Sequence, residues 1–242
     1  MEKEIGFILY RGPSLLDGSP IVVVGTMSSS NKKTGPTGKK NMVQVWILAD
    51  DGVEPHIAAK KGLDYSVCGD CIHRPVNGDT CYVTLFQAPL AVYRGVQRGI
   101  YSTDIDLFYR EIQNRKVRFG AYGDPAAANA QLWIDIAAQC LGYTGYTHQF
   151  DHPNFDRAIL SVVMRSIDTE KQALESNERY FRVKNPEMPA LPGEVECLSD
   201  SKGMLCSDCL VCDGGEKGKS VYINVHGANA SKFNPNIIAI AA

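Results

Sequence analysis

What the chain lacks narrows it first. No apolar run approaches the roughly 20 residues that span a bilayer; the longest uncharged stretches, such as Ile21–Gly25 and Ile237–Ala242, are far shorter. No apolar signal segment follows the charged opening Met1-Glu2-Lys3-Glu4, so the expected compartment is the cytoplasm and no membrane partner is expected. Neither sign of charge dominates: 25 Lys and Arg stand against 27 Asp and Glu, a net charge of −2. The pI near 6.2 disfavours wholesale nucleic-acid binding, which shows as a strongly basic domain. No internal repeat and no low-complexity tract is visible.

What is present is a chain of 242 residues, 44% of them hydrophobic. That length suits a single α/β domain spanning 1–242. Ile21-Val22-Val23-Val24 and Val43-Gln44-Val45-Trp46-Ile47-Leu48 are apolar runs of strand length, the pattern of strands buried on both faces. Thr80–Phe86 reads as another strand. Further on, Lys116–Tyr122 reads as a strand ending at Gly123-Asp124-Pro125, and Ala126–Leu141 as the helix after it. Tyr143–Gln149, Ile159–Ile167, Tyr180–Val183, Val195–Cys197 and Ser220–Val225 read as strands, with a helix over Thr169–Ser176. Strands alternating with helices predict βαβ units and a mostly parallel sheet. The expected fold is therefore α/β, a full or partial (β/α) barrel whose Cys-rich, metal-binding segment 196–228 lies across one mouth. In such folds ligand sites sit at the carboxyl ends of the strands. Asp124, Thr147-His148-Gln149, Arg165, Asp168 and His226 all fall there.

Eight cysteines in a reducing compartment read as metal ligands or catalysts rather than as a disulfide framework. Cys68-Gly69-Asp70-Cys71 is followed by Cys81-Tyr82. Three thiolates can hold a [4Fe–4S] cluster with one open iron, or bind zinc with His73 as a fourth ligand. Cys206-Ser207-Asp208-Cys209-Leu210-Val211-Cys212 has Cys197 upstream, eight residues intervening, and His226 downstream. Four thiolates match a closed [4Fe–4S] cluster, whereas three with His226 suit zinc. Either site could staple a loop without catalysis. Cys140, alone on a helix, reads as a core residue.

Among the other candidates, Asp124 after Gly123 could receive a ligand amino group or cap a helix begun by Pro125. His148 is a candidate acid or base, and Asp168 either a catalytic carboxylate or a helix cap. Four lysines lie in the loop of residues 31–40. This is a solvated loop, or a contact for a cofactor's phosphate or carboxylate through Asn31, Lys33, Thr34 and Gly35.

Across most of the chain these motifs resemble, in order, the phage gene-product-88 family. The shared elements are Asn31-Lys32-Lys33-Thr34-Gly35, the paired cysteines with Cys81-Tyr82, Gly123-Asp124-Pro125, Thr147-His148-Gln149, Ser166-Ile167-Asp168, the Cys206–Cys212 run and His226-Gly227. That resemblance implies a phage-type gene acting in host cytoplasm and specifies no chemistry. Over residues 60–128 the chain also resembles radical S-adenosylmethionine enzymes, with cysteines ending in Cys-Tyr, then a helix, then a strand ending in a Gly-acid-Pro element. Their motif spaces its cysteines by three and then two residues, unlike the two and nine found here. This implies S-adenosylmethionine as cofactor and a small molecule or nucleotide as substrate. Cys206, Cys209, Cys212 and His226 are similar in type to the zinc ligands of tRNA-guanine transglycosylases. That implies a base-exchange enzyme with Asp124 or Asp168 as nucleophile. A non-catalytic cluster protein is the third expectation.

Overall fold

The computed structural model of the chain describes residues 4–28 and 42–235. The lysine-rich loop, with Asn31, Lys33, Thr34 and Gly35, lies outside the described residues.

Among the described residues, ten strands form two open five-stranded sheets. The first runs β1 (Gly6–Pro13), β2 (Pro20–Thr26), β3 (Val43–Ala49), β4 (Lys116–Tyr122) and β5 (Gly142–Thr144). Its β1–β2 and β2–β3 pairs are antiparallel, while β3–β4 and β4–β5 are parallel. The second has the order β6 (Tyr146–Thr147), β7 (Met164–Ile167), β8 (Tyr180–Lys184), β10 (Ser220–Asn224) and β9 (Glu194–Glu196), every pair parallel.

One residue, Gly145, separates β5 from β6, so a single stretch of chain passes from one sheet into the other. Its backbone N–H donates to the Cys212 carbonyl at 3.0 Å and its carbonyl accepts from Met164 at 3.0 Å. A Cβ here would sit 2.9 Å from Phe119 Cβ and 3.0 Å from Val163 Cγ1, which is why the crossing needs glycine. The strand pairing thus defines two joined open sheets, not a closed barrel. Within it β3, β4, β5/β6, β7, β8 and β10 all point the same way, which brings their carboxyl ends to one side.

Burial explains the strands of the first sheet. Residues 21–26 and 43–48 are buried without a break. The main core packs them against α3 (Ala88–Gln97), α4 (Ile105–Ile112) and α5 (Ala130–Gln139) through Val92, Phe108, Ile112, Trp133 and Ile136. Local chemistry sets the helix starts: Asp104, Asn129 and Thr169 side chains accept from backbone N–H groups of Leu107, Gln131 and Gln172, ordinary N-capping. Thr169 is the cap of α6 (Glu170–Glu175), so Asp168 is left for another purpose. The helix expected over 126–141 is split into a 3₁₀ turn, Pro125–Ala127, and α5. Likewise the strand expected over 159–167 begins as a 3₁₀ turn, Arg157–Ser161, capped by Asp156, and only its end is β7. Residues 80–86 form no strand, because the N–H groups of Thr80 and Cys81 turn back onto the His73 carbonyl. No helix among the described residues is long and apolar enough to cross a membrane.

The second sheet has much smaller apolar clusters, one of Met164, Phe181, Cys212, Val221 and Ile223 and one of Ile167, Ala173 and Tyr180. It leans instead on a fully buried ion pair. Arg182 Nε and Nη2 donate to the two carboxylate oxygens of Glu194, both at 2.6 Å, and Nη2 also reaches the Pro189 carbonyl. Burial opposes the Glu194 charge, but the Arg182 hydrogen bonds and the Leu191 N–H outweigh it and hold the carboxyl below its ordinary value. Removing one partner of such a pair leaves an uncompensated buried charge, typically about 3–5 kcal/mol. Glu194→Gln should therefore lower the unfolding free energy by about that amount in urea titrations. The depressed carboxyl pKa means this stability is present above the ordinary carboxylate range and lost as pH falls through it. The gap between wild type and E194Q should therefore shrink in acid, and an unchanged gap would show that the charge contributes nothing.

Candidate functional site

The loop after β3 carries the first three thiols. It has little regular structure: α1 (Pro55–Lys60), then α2 (Tyr65–Cys68), then turns to residue 87. Side chains hold it. Buried Arg74 donates through Nε and Nη2 to Asp64 Oδ1 at 3.1 and 2.6 Å, through Nη1 to the Gly69 carbonyl at 2.9 Å and through Nη2 to the Gly62 carbonyl at 2.9 Å. Asn77 Nδ2 holds the Cys71 carbonyl at 2.9 Å. From the end of β6, Gln149 clamps the loop with both ends of its amide: Oε1 accepts from Asp70 N–H at 3.0 Å and Nε2 donates to the Cys68 carbonyl at 3.0 Å. Gly69 has φ of +49°, and a Cβ there would fall 2.0 Å from Gln149 Oε1.

Cys68, Cys71 and Cys81 lie close enough for each to disfavour ionisation of another. Burial is the larger cause, pushing Cys68 and Cys71 well above the ordinary thiol value and Cys81 up as well. The sulfurs nevertheless collect donors. His73 N–H points at Cys71, Val83 N–H at Cys81, and the buried Tyr122 hydroxyl bonds Cys68.

Cys197 precedes α7 (Leu198–Ser201), and Cys206 and Cys209 begin and end α8 (Cys206–Cys209). Leu210 then takes a left-handed φ of +52°, which turns the chain so that Cys212 follows in the small core. Burial pushes Cys212 up to about 12, with Cys197, Cys206 and Cys209 adding to it, while the Tyr146 hydroxyl donates to its sulfur. All four thiols of this group are thus neighbours. His226 stacks on Tyr82 with ring centroids 5.2 Å apart and shares a cavity wall with Cys197 and Cys206. Cys140 packs at the edge of the main core at the end of α5, as a core residue would.

Both thiol groups border one cavity of about 140 Å³. The first loop contributes Cys71, His73, Cys81 and Tyr82; the strands contribute Arg118, Tyr146, Phe181 and Ile223; the C-terminal segment contributes Cys197, Cys206 and His226. Arg118 Nη2 donates to the Tyr82 hydroxyl at 2.5 Å.

Asp124, His148 and Asp168 gather beside this cavity with unequal duties. Asp124 does cap the turn after β4, accepting from Ala126 N–H at 2.9 Å. It also accepts from Thr147 Oγ1 at 2.7 Å and from His148 N–H at 2.7 Å. Burial pushes it up to about 6. Its carboxylate is spent on joining β4 to β6, and Gly123 (φ +80°) lets the chain make that turn against Ile47. His148 lines the cavity, and burial pulls it down to about 4, so it is neutral at pH 7. Asp168 lies 3.0 Å from His73 Nε2 and 3.9 Å from His148 Nε2. Burial opposes the Asp168 charge, but the His73 hydrogen bond and both imidazoles hold its carboxyl below the ordinary value. His73 Nδ1 meets Thr80 Oγ1 at 2.7 Å. His73 thus directs its ring nitrogens to Thr80 and Asp168 rather than to the sulfurs of Cys68, Cys71 and Cys81. Arg165 faces away, over the Phe150 ring and paired with Glu178.

Sequence reasoning missed His73 with Asp168, Arg118, Tyr122 and Tyr146. The polar strand-end signal found Asp168, but nothing local points 95 residues back to His73. No protein-family model, no curated protein and no solved structure matches the chain.

The clamp makes a direct prediction. Gly69→Ala adds both a strained φ and a clash with Gln149, so it should destabilise the fold by about 1–3 kcal/mol. A Gln149→Ala change in the same chain should return the steric part. A strictly additive double mutant in thermal melts would show that the two residues do not meet.

Proposed function

We propose that the chain is an iron–sulfur redox enzyme with two [4Fe–4S] clusters facing one substrate cavity. Cys68, Cys71 and Cys81 would hold the first and leave one iron open; Cys197, Cys206, Cys209 and Cys212 would hold the second. The observation that carries this reading is that two groups of thiols, of three and of four, border one cavity through Cys71, Cys81, Cys197 and Cys206.

The donor set fits the group. Thiolates held by a cluster need hydrogen-bond donors at sulfur, which tune its potential, and both groups have backbone or tyrosine donors aimed there. Spacing argues in the same direction. Four ligands around one zinc at about 2.3 Å stand less than 4 Å apart. Among the described residues, the one group whose ligand atoms all fall within 4.8 Å is His73, His148 and Asp168, with no cysteine in it. Thiols that feel one another's charge yet stand wider than a single ion requires suit a cluster, in which each takes a different iron. The charge of Cys197 is felt at Cys212 along with those of Cys206 and Cys209, and four thiols are the full ligand set of a closed cluster. The parallel strand pairs from β3 through β5 and across the second sheet are compatible with the α/β setting that the radical S-adenosylmethionine resemblance implies.

When bound, an open cluster supplies one electron and a free iron position to S-adenosylmethionine, and a closed one stores or relays an electron. The chain's own residues supply the setting. Tyr146, Phe181, Val183, Ile223 and Val225 exclude water from the cavity. Arg118 presents a buried positive charge with no carboxylate against it, suited to an anionic group on a small molecule or nucleotide. Neutral His148 offers a ring nitrogen to a proton in transit.

Protein purified without oxygen should be brown and carry about eight iron and eight sulfide per chain. Cys81→Ala should lose the first cluster, Cys209→Ala the second, each leaving about half the iron. After reduction, S-adenosylmethionine should yield 5′-deoxyadenosine in wild type and not in C81A. A colourless protein holding zinc would overturn the cluster reading. A brown one releasing no 5′-deoxyadenosine, with the first cluster intact in C81A, would overturn the open iron and leave a non-catalytic cluster protein.

A further inference from the structure

We propose that His73, His148 and Asp168 form a third metal site, mononuclear and free of cysteine, which takes one divalent first-row transition ion on the cavity wall. The three come from different parts of the chain: His73 from the loop after β3, His148 from the end of β6 and Asp168 from the end of β7. Their ligand atoms all lie within 4.8 Å of one another.

The pairwise geometry suits an ion. His73 Nε2 and Asp168 Oδ1 are 3.0 Å apart. Two ligands at right angles, each about 2.1 Å from one ion, stand about 3 Å from each other. His148 Nε2 lies 3.9 Å from Asp168 Oδ2 and is buried without a hydrogen-bond partner. A buried polar atom left unsatisfied costs about 1–3 kcal/mol, a cost that an ion or a water at this position would remove.

Charge argues alongside geometry. Asp168 is buried, and its ion-pair partners among the described residues are imidazoles alone, with no Lys or Arg. A carboxylate out of water without a permanent cation is costly, and a divalent ion would neutralise it. The ligands are also held from behind, as metal ligands commonly are. Thr80 Oγ1 meets the far nitrogen of His73 at 2.7 Å, and Phe233 stacks over the same ring at 5.8 Å. Asp124 Oδ2 takes the His148 backbone N–H at 2.7 Å.

Two imidazoles and one carboxylate, with remaining positions open to a cavity, are a donor set for iron(II) or zinc(II). His73 and His148 line that cavity together with Cys71 and Cys81, so the ion would stand beside substrate and the first thiol group. The site uses no cysteine, and it stands whether or not the thiols carry clusters.

The test exploits that independence. Mn²⁺ is a hard ion that favours nitrogen and oxygen over thiolate. Titrated into anaerobic protein and followed by loss of the free-ion electron paramagnetic resonance signal, it should saturate at one ion per chain. His148→Gln should weaken binding at least tenfold, and Asp168→Asn should abolish it. Cys81→Ala and Cys209→Ala should leave it unchanged, and Thr80→Val should weaken it about tenfold through the orientation of His73. Co²⁺ should give ligand-field absorption without a thiolate-to-cobalt band. Since His148 Nε2 has no partner to lose, H148Q should fold as wild type by circular dichroism, and it decides the question if D168N does not fold. No saturable binding, binding that survives H148Q, or binding lost only in the cysteine variants would overturn the proposal. A colourless protein that still binds Mn²⁺ this way would sink the clusters and leave the site standing.

Discussion

The arrangement depends most on the buried guanidinium of Arg74. Eighteen residues, 64–81, must bring three thiols and His73 to one place, and α2 supplies only four of them with regular structure. Hydrophobic burial is non-directional and could not fix such a loop. Arg74 does so with its fork of donors, which ties Asp64, Gly62 and Gly69 together from the inside. Lysine would not replace it, since an ammonium lacks the planar fork that reaches several acceptors in fixed directions. Gln149 then carries the order of the loop to the sheet, and Asp124 carries it on from β6 to β4. The chain of polar contacts from Arg74 to Asp124 is continuous, so the cysteine loop and the strand ends are positioned as one unit.

The C-terminal half solves the same problem with less apolar surface. Eight buried apolar residues in two small clusters underlie its sheet, and one of them is Cys212. Its segment 197–219 folds through two helices of four residues each. Arg179 supplements them by donating to the carbonyls of Val211 and Gly214, both at 2.7 Å. A segment so poor in core is where a bound metal contributes folding free energy directly. On the reading proposed above, the four thiols here would serve stability whatever they do for chemistry. The first group, bordered by the cavity and already fixed by Arg74, has less need of that service.

Much of the fold was legible in the sequence because its strands are unambiguous. Continuous apolar runs at 21–24 and 43–48 and the strand ending at Gly123 all match the structure, since burial on both faces leaves no alternating pattern to misread. Legibility failed where a polar contact outweighs propensity. Residues 80–86 are rich in strand formers, yet their N–H groups answer the His73 carbonyl. Asp156 caps a 3₁₀ turn inside an apolar run, and β1 was missed because it is an edge strand with mixed burial. The cysteine spacing marked both thiol groups from local pattern alone. The pairing of His73 with Asp168 is set by tertiary structure, and no local period encodes it.

Two isolated charges define what the cavity can accept. Arg118 is a buried cation whose hydrogen bond goes to a neutral hydroxyl, and Asp168 is a buried anion held by imidazoles. Neither neutralises the other by direct contact, though an ion pair between them would have removed both penalties. On the readings proposed above, each would face its own complement: Asp168 a cation at the histidines, Arg118 an anion from substrate or from a thiolate-held cluster. The surrounding wall is chiefly aromatic and aliphatic, and in such a medium these attractions are several-fold stronger than in water. A molecule with an apolar body and one anionic end would satisfy Arg118 and the walls together, and would come to rest against the metal-ligating side of the cavity.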